Sequence, residues 1–189
     1  MKFKIELERL LKENLTDIAY NFWDAATNNG IIPQRVWDEL ASSSKKYHNK
    51  EGGFVPTIAE HTCEMLRGAI KCMSMFGITR KTSECDLLVM GVVLHDAFKR
   101  GEDGTGKWTA KDHDSLIANK VQDSSAFLRF LSAEQHKILV DILRFHSGKW
   151  SYEADNDFNF SNYHPYVLFV HTLDMLSSRN CLKLILGDP

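Results

Sequence analysis

Hydrophobic residues recur at spacings of three and four along nearly the whole chain, and alternating runs of strand type are scarce; the pattern predicts helix after helix. Leu7, Leu10, Leu11 and Leu15 mark a first helix, and Ile18, Phe22, Trp23 and Ala26 a second, stopped by Asn28-Asn29-Gly30. Pro33 is placed to open a third helix carrying Val36, Trp37 and Leu40. The polar stretch from Ser42 to Gly53 reads as an irregular connection. Thr57 and Glu60 have capping-box spacing and open a helix that runs to Phe76 and ends at Gly77. Ser83 with Asp86 opens the next, whose interior from Leu87 to Leu94 is apolar all round and therefore predicted to be buried on every side. Asp112 is positioned to cap a short helix from His113, Ser132 with Gln135 to open a longer one ending near Gly148, and Pro165 to start a last one reaching about Arg179.

Two segments lack this periodicity, Gly101 to Asp112 and Lys149 to His164. With no repeat and no linker of low complexity, the chain is expected to be all-α: a helical extension over residues 1–41 packed on a helical-bundle domain over 42–189.

Composition narrows the function. At 43% hydrophobic and 25% charged residues, 189 residues can bury one proper core. Lys+Arg 23 against Asp+Glu 25 gives a formal charge of -2, so no broad basic surface for duplex nucleic acid is implied. An anionic substrate would have to be held by local charge or by metal. No apolar run approaches the roughly 20 residues of a membrane span, and the charged opening Met1 to Glu6 does not resemble a signal peptide. Cys63, Cys72, Cys85 and Cys181 form no C-x-x-C pair, which speaks against a disulfide framework and a thiolate zinc site. A reduced, cytoplasmic setting is the expectation.

The chemistry lies where polar groups interrupt apolar faces. His61 falls in the first turn of its helix, in register with Met65, Ala69 and Met73. His95 and Asp96 directly follow the most apolar helix. His146 lies seven and four residues after Leu139 and Ile142, and Asp174 sits among Val170, Leu173 and Leu176. Any one of these alone is best read as a core histidine on a carbonyl, or an acid paired with a cation. As a set at the ends of apolar helices they need neutralising, and a divalent cation accepts imidazole nitrogen and carboxylate oxygen together. A second His-Asp pair, His113-Asp114, lies in a polar segment, so Asp114 is expected to be solvated.

In this order, His61, His95-Asp96 and Asp174 resemble the H…HD…D signature of the HD-domain metal-dependent phosphohydrolases. Lys99 matches the H-D-x-x-K form, and His113 and His146 stand where two-metal members carry extra histidines. Lys46 to Phe54 followed by His61-Thr62 is similar to the approach to the first ligand in YhaM-type exoribonucleases, as are Phe145 to Lys149 and Leu173 to Arg179 to later motifs of that group. Those exoribonucleases carry an added OB-fold domain, for which this chain has no strand-rich segment, and Ser147 follows His146 where the group often pairs histidines.

The resemblance implies an HD-type helical bundle that hydrolyses a phosphate ester with metal-activated water. It assigns His61, His95, Asp96 and Asp174 to one cation, with Asp96 shared, and His113 and His146 to a second; Mn, Fe, Mg, Ni and Zn all suit such ligands. Lys99 is the expected contact to a phosphate oxygen. Arg100, Lys107, Lys149 and Arg179 are weaker candidates for further phosphates, each otherwise an ordinary surface charge, and His48 is expected to approach the site. His171 is placed to orient a ligand, while His136 and His164 receive no role. Trp108, Trp150 and Tyr152 lie in the two flanking loops, where they either stack a base or pack into the core. The expected substrate is a nucleotide or a short single-stranded nucleic-acid end. A di-iron oxygenase of the same fold, or a non-catalytic nucleotide-binding module, is the alternative.

Overall fold

After a polar first turn, the helix from Ser83 to Leu94 is apolar on every face from Leu87 onward, and four other helices pack around it. In chain order the elements are α1 (Lys2–Asn14), α2 (Asp17–Asn28), α3 (Ile58–Met75), α4 (Ser83–Leu94), α5 (His113–Gln122), α6 (Ala133–Phe145) and α7 (Pro165–Ser178). They are taken from a computed structural model that describes residues 2–28, 32–42, 55–179 and 181. Among these residues the only β pairing is an isolated bridge between Leu40 and Thr57. The architecture is all-α, as the hydrophobic spacing predicts.

α4 is covered by α1, α3, α6 and α7, so every residue from Cys85 to Leu94 is buried. Each large apolar side chain enclosed in this way contributes roughly 1.5–3 kcal/mol. Gly91 lets α6 come close: a Cβ there would lie 2.9 Å from Ile142 Cγ2. That approach brings together the C-terminal ends of α4 and α6, from which His95 and His146 emerge. α3 runs antiparallel to α4, and α5 lies against α6. α1 joins the same core through Leu7, Leu10 and Leu11 and ties to α3 through an Arg67–Glu6 ion pair.

The helix starts follow local chemistry. Thr57 Oγ accepts from Glu60 N while the Glu60 carboxylate accepts from Thr57 N, and Ser132 with Gln135 repeats the arrangement. Pro165 occupies the first turn of α7, capped by His164, whose Nδ1 accepts from Tyr166 N; this is a role the sequence did not suggest for that histidine.

Three local expectations change. After Pro33 the chain makes only a 3-10 turn over Gln34–Asp38, because it then extends to pair Ala41 N with Pro56 O, leaving Leu40 exposed. α4 is capped by Thr82, one residue before the expected Ser83. Asp86 instead turns back to α2, accepting from Thr16 N at 2.8 Å and Thr16 Oγ at 2.6 Å. Asp112 precedes α5 but forms no side-chain cap.

Candidate metal centre

Four histidines and two aspartates, drawn from five helices or their ends, converge in the buried core. His61 comes from the first turn of α3, His95 and Asp96 from the residues after α4, His113 from the start of α5, His146 from the residue after α6, and Asp174 from the middle of α7. His61, His95 and Asp174 form one triad, and Asp96, His113 and His146 another; within each, the ligand atoms lie inside 4.8 Å of one another.

The imidazoles are oriented from behind. Nδ1 of His95 donates to Val92 O at 2.7 Å, Nδ1 of His113 to Ala110 O at 2.9 Å, and Nδ1 of His146 to Leu143 O at 2.8 Å. A carbonyl can only accept, so these bonds fix the proton on Nδ1 and leave an Nε2 lone pair facing the centre. His61 is held differently, with Nδ1 2.9 Å from Ser177 Oγ. The rings meet edge to face in series, with centroid separations of 5.3 Å for His61–His95, 5.1 Å for His95–His146 and 5.2 Å for His113–His146.

Asp96 lies between the triads. Its Oδ2 is 3.4 Å from His95 Nε2 and 4.0 Å from His61 Nε2, while its Oδ1 is 3.6 Å from His113 Nε2 and 4.0 Å from His146 Nε2. The first triad closes with His61 Nε2 3.2 Å from both His95 Nε2 and Asp174 Oδ1. Donors at about 2.1 Å from a cation stand roughly 3.0–3.4 Å apart for neighbouring positions, so these separations suit metal ligation. The Nε2 lone pairs of His95, His113 and His146 face the oxygens of Asp96, and such groups repel without a cation or proton between them. The donor set of imidazole nitrogen and carboxylate oxygen fits divalent transition metals, and the residues present therefore fit the group the resemblance implies.

The electrostatics agree. Burial works against the charged form of Asp96, but Lys99, His95 and His113 outweigh it and hold the carboxyl well below the usual range. Asp174 is likewise kept low: burial is overcome by the hydrogen bond and charge of His61 and by His95. Burial pushes the His146 pKa down to about 3, helped by repulsion from His95 and His113. The His113 pKa also falls through burial, against the pull of Asp96. For His95 burial is overruled by Asp96 and the pKa rises.

Lys99 is buried and forms a hydrogen-bonded ion pair with Asp96 Oδ2, which puts its ammonium beside the centre. Arg100 corrects an expectation: it is buried and turned away, donating to Leu40 O at 3.0 Å and Lys107 O at 3.3 Å near Glu39. Its guanidinium fastens the loop after α4 and is not available to a phosphate. Lys149 and Arg179 are exposed, Lys149 standing 4.9 Å over the Trp150 ring and Lys107 5.5 Å over Trp108. His48 lies outside the described residues. His171 Nδ1 donates to His146 O at 2.7 Å, steadying the turn that carries that ligand.

Two further residues matter here. Ser177 orients His61 and sits three residues after Asp174, the helical spacing that could have revealed it. Asp114 is not solvated: it is 1% exposed and accepts from Ser115 N at 2.8 Å and Tyr152 N at 3.0 Å. It thereby ties the loop after His146 to the start of α5, beside His113. Of the loop aromatics, the three candidate stacking residues are not packed away, with Trp108 59%, Trp150 64% and Tyr152 63% exposed, whereas Phe158, Phe160 and Tyr163 pack against the core.

Comparisons of the chain with protein-family models, curated proteins and solved structures give no match.

Proposed function

We propose that this chain is a two-metal phosphohydrolase of the HD type, acting on a nucleotide or on a short single-stranded nucleic-acid end. The observation that carries the reading is the position of Asp96, which turns one carboxylate oxygen toward each histidine-containing triad. Cations held by His61, His95, Asp96 and Asp174 and by Asp96, His113 and His146 would supply Lewis acidity and a lowered pKa for water.

The residues do the rest. The carbonyl-anchored imidazoles present preformed lone pairs, so little reorganisation is needed at the moment of reaction. Lys99 brings a fixed positive charge to the edge of the centre, where negative charge builds on phosphoryl oxygens during displacement. That buried cation favours hydrolysis over oxygenase chemistry. The exposed Trp150 and Tyr152, on the loop that leaves His146 and is tied to Asp114, offer stacking faces for a base. Lys149 lies beside them for a phosphate.

Metal analysis of the purified protein, followed by assays on bis-p-nitrophenyl phosphate and a nucleotide panel with each metal supplied, tests the reading. Stoichiometric metal and turnover are expected, both lost in Asp96→Ala. Turnover that survives Asp96→Ala would overturn the site, and metal-loaded protein that consumes dioxygen but cleaves no phosphoester would overturn the reaction class.

A further inference from the structure

α3 and α4 run antiparallel, so the end that carries His61 and His95 is opposite the end where Gly77 to Thr82 join them. From His61 to Ser74 along α3 is about 20 Å at 1.5 Å per residue. At this far end, α1, the second half of α3 and the joining loop line an open groove of about 820 Å³. That volume lies in the range of small-molecule sites, roughly 300–1,000 Å³.

The lining has two characters. Arg9, Arg67, Lys71 and Arg80 bring four cations, against the single acid Glu13. Arg9 is paired with Glu13 and Arg67 with Glu6. The side chains of Lys71 and Arg80 lie at the surface of the groove. The floor is apolar, with Leu10, Ile70, Met73 and Ile78. Met73 and Ile78 also line a second hollow of about 200 Å³, which is bordered by the edge-to-face pair Phe76 and Phe169 and has no charged residue in its lining. Phe76 and the neighbouring Met75 are 73% and 80% exposed, leaving an apolar patch uncovered at the same place.

We propose that this groove binds a small amphipathic anion, with a phosphate or carboxylate head among Arg9, Arg67, Lys71 and Arg80 and an aliphatic tail running over Met73 and Ile78 toward Phe76. The head meets complementary charge, and the tail covers apolar surface that otherwise faces water. The lining, with cations on one side and an apolar floor on the other, favours such a ligand over the uniformly acidic face of a partner helix. The site is separate from the metal centre, and its existence does not depend on the reaction assigned there.

Isothermal titration of the full chain with decyl phosphate tests the proposal, below micelle-forming concentrations and with a chelator present. The expected result is one site per chain, no binding of decyltrimethylammonium, and unchanged binding in Asp96→Ala. Lys71→Glu with Arg80→Glu, both at exposed positions, should weaken binding by about tenfold or more. Phe76→Ser should weaken decyl phosphate but not butyl phosphate. Absence of binding overturns the proposal. So does equal affinity for the cationic amphiphile, indifference to the Lys71/Arg80 and Phe76 changes, or loss of binding in Asp96→Ala.

Discussion

Ser177 and His61, 116 residues apart in the chain, meet in the core with Oγ 2.9 Å from Nδ1. The other three imidazoles of the centre lean on a carbonyl three residues earlier in their own segment, whereas His61 depends on a side chain from α7. The ring orientation of His61 is thus the one that a side-chain substitution on another helix can loosen. Ser177→Ala should lower metal affinity about 10–100-fold, as loss of an orienting partner usually does. Ser177→Thr, which keeps the hydroxyl, should recover most of it. Competition with a chelating dye measures both, and equal affinity in wild type and Ser177→Ala would show that His61 needs no such support.

On the phosphohydrolase reading, a change at Lys99 should separate metal binding from turnover. Its ammonium pairs with Asp96 but contributes no metal-ligand atom. Lys99→Met preserves the length and apolar stem while deleting the charge. We expect metal stoichiometry to be retained and kcat to fall about 10²–10³-fold, the usual effect of losing one group that stabilises developing charge. A fall in metal content equal to that of Asp96→Ala would instead make Lys99 a structural counter-ion.

The pH dependence of the metal-free protein follows from groups displaced in opposite directions. His146 and His113 titrate below an ordinary histidine when folded, because burial disfavours their charged forms. As pH falls below about 6.5 the unfolded chain takes up those protons first, so stability declines from there toward about pH 3, the value to which His146 is pushed down. His95 is shifted upward, so its contribution is complete at low pH and disappears as pH rises through its folded value. Asp96 and Asp174 are shifted downward, and what they contribute is lost only below about pH 4. Urea titrations with chelator should therefore give greatest stability near neutral pH. Between pH 6 and 5 the loss should be on the order of 1–2 kcal/mol, about one proton per pH unit. His146→Asn keeps a donor for Leu143 O and removes the titrating nitrogen, so it should flatten that slope. An unchanged slope would mean His146 is not held neutral.

The helical frame was readable because its signals are local. Two capping boxes, the apolar run of α4 and Pro165 each act within a turn or two of where they stand. The centre was readable for a related reason: His61, His95, Asp96, His146 and Asp174 are polar groups on otherwise apolar faces, and such positions demand a partner. What escaped were side chains satisfied by distant backbone. Arg100 looked like a free cation because nothing nearby in sequence announces the Leu40 carbonyl, 60 residues earlier. The helix expected after Pro33 gave way to a 3-10 turn because the following residues pair with Pro56 and Ile58. Asp114 looked solvated beside Lys111 and Asp112, yet its partner is a backbone amide 38 residues later.

On the proposed function, that last bond should matter for substrate binding. The Asp114 carboxylate holds Tyr152 N at 3.0 Å, and with it the loop that carries the exposed Trp150 and Tyr152. Asp114→Ala removes this tether and the bond to Ser115 N, leaving buried amide groups without their partner at a cost of about 1–3 kcal/mol. If the loop grips the base of a nucleotide, its loosening should act on binding and leave the reacting groups in place. For nucleotide substrates KM should rise about tenfold with kcat changed less than about threefold, the pattern of lost uniform binding. Bis-p-nitrophenyl phosphate, which has no nucleobase, should show little change in KM. Metal content measured alongside must stay at the wild-type value, since His113 is the preceding residue in the chain. Equal losses on both substrates, or loss of metal, would assign Asp114 to the support of His113 and deny the loop a part in substrate recognition.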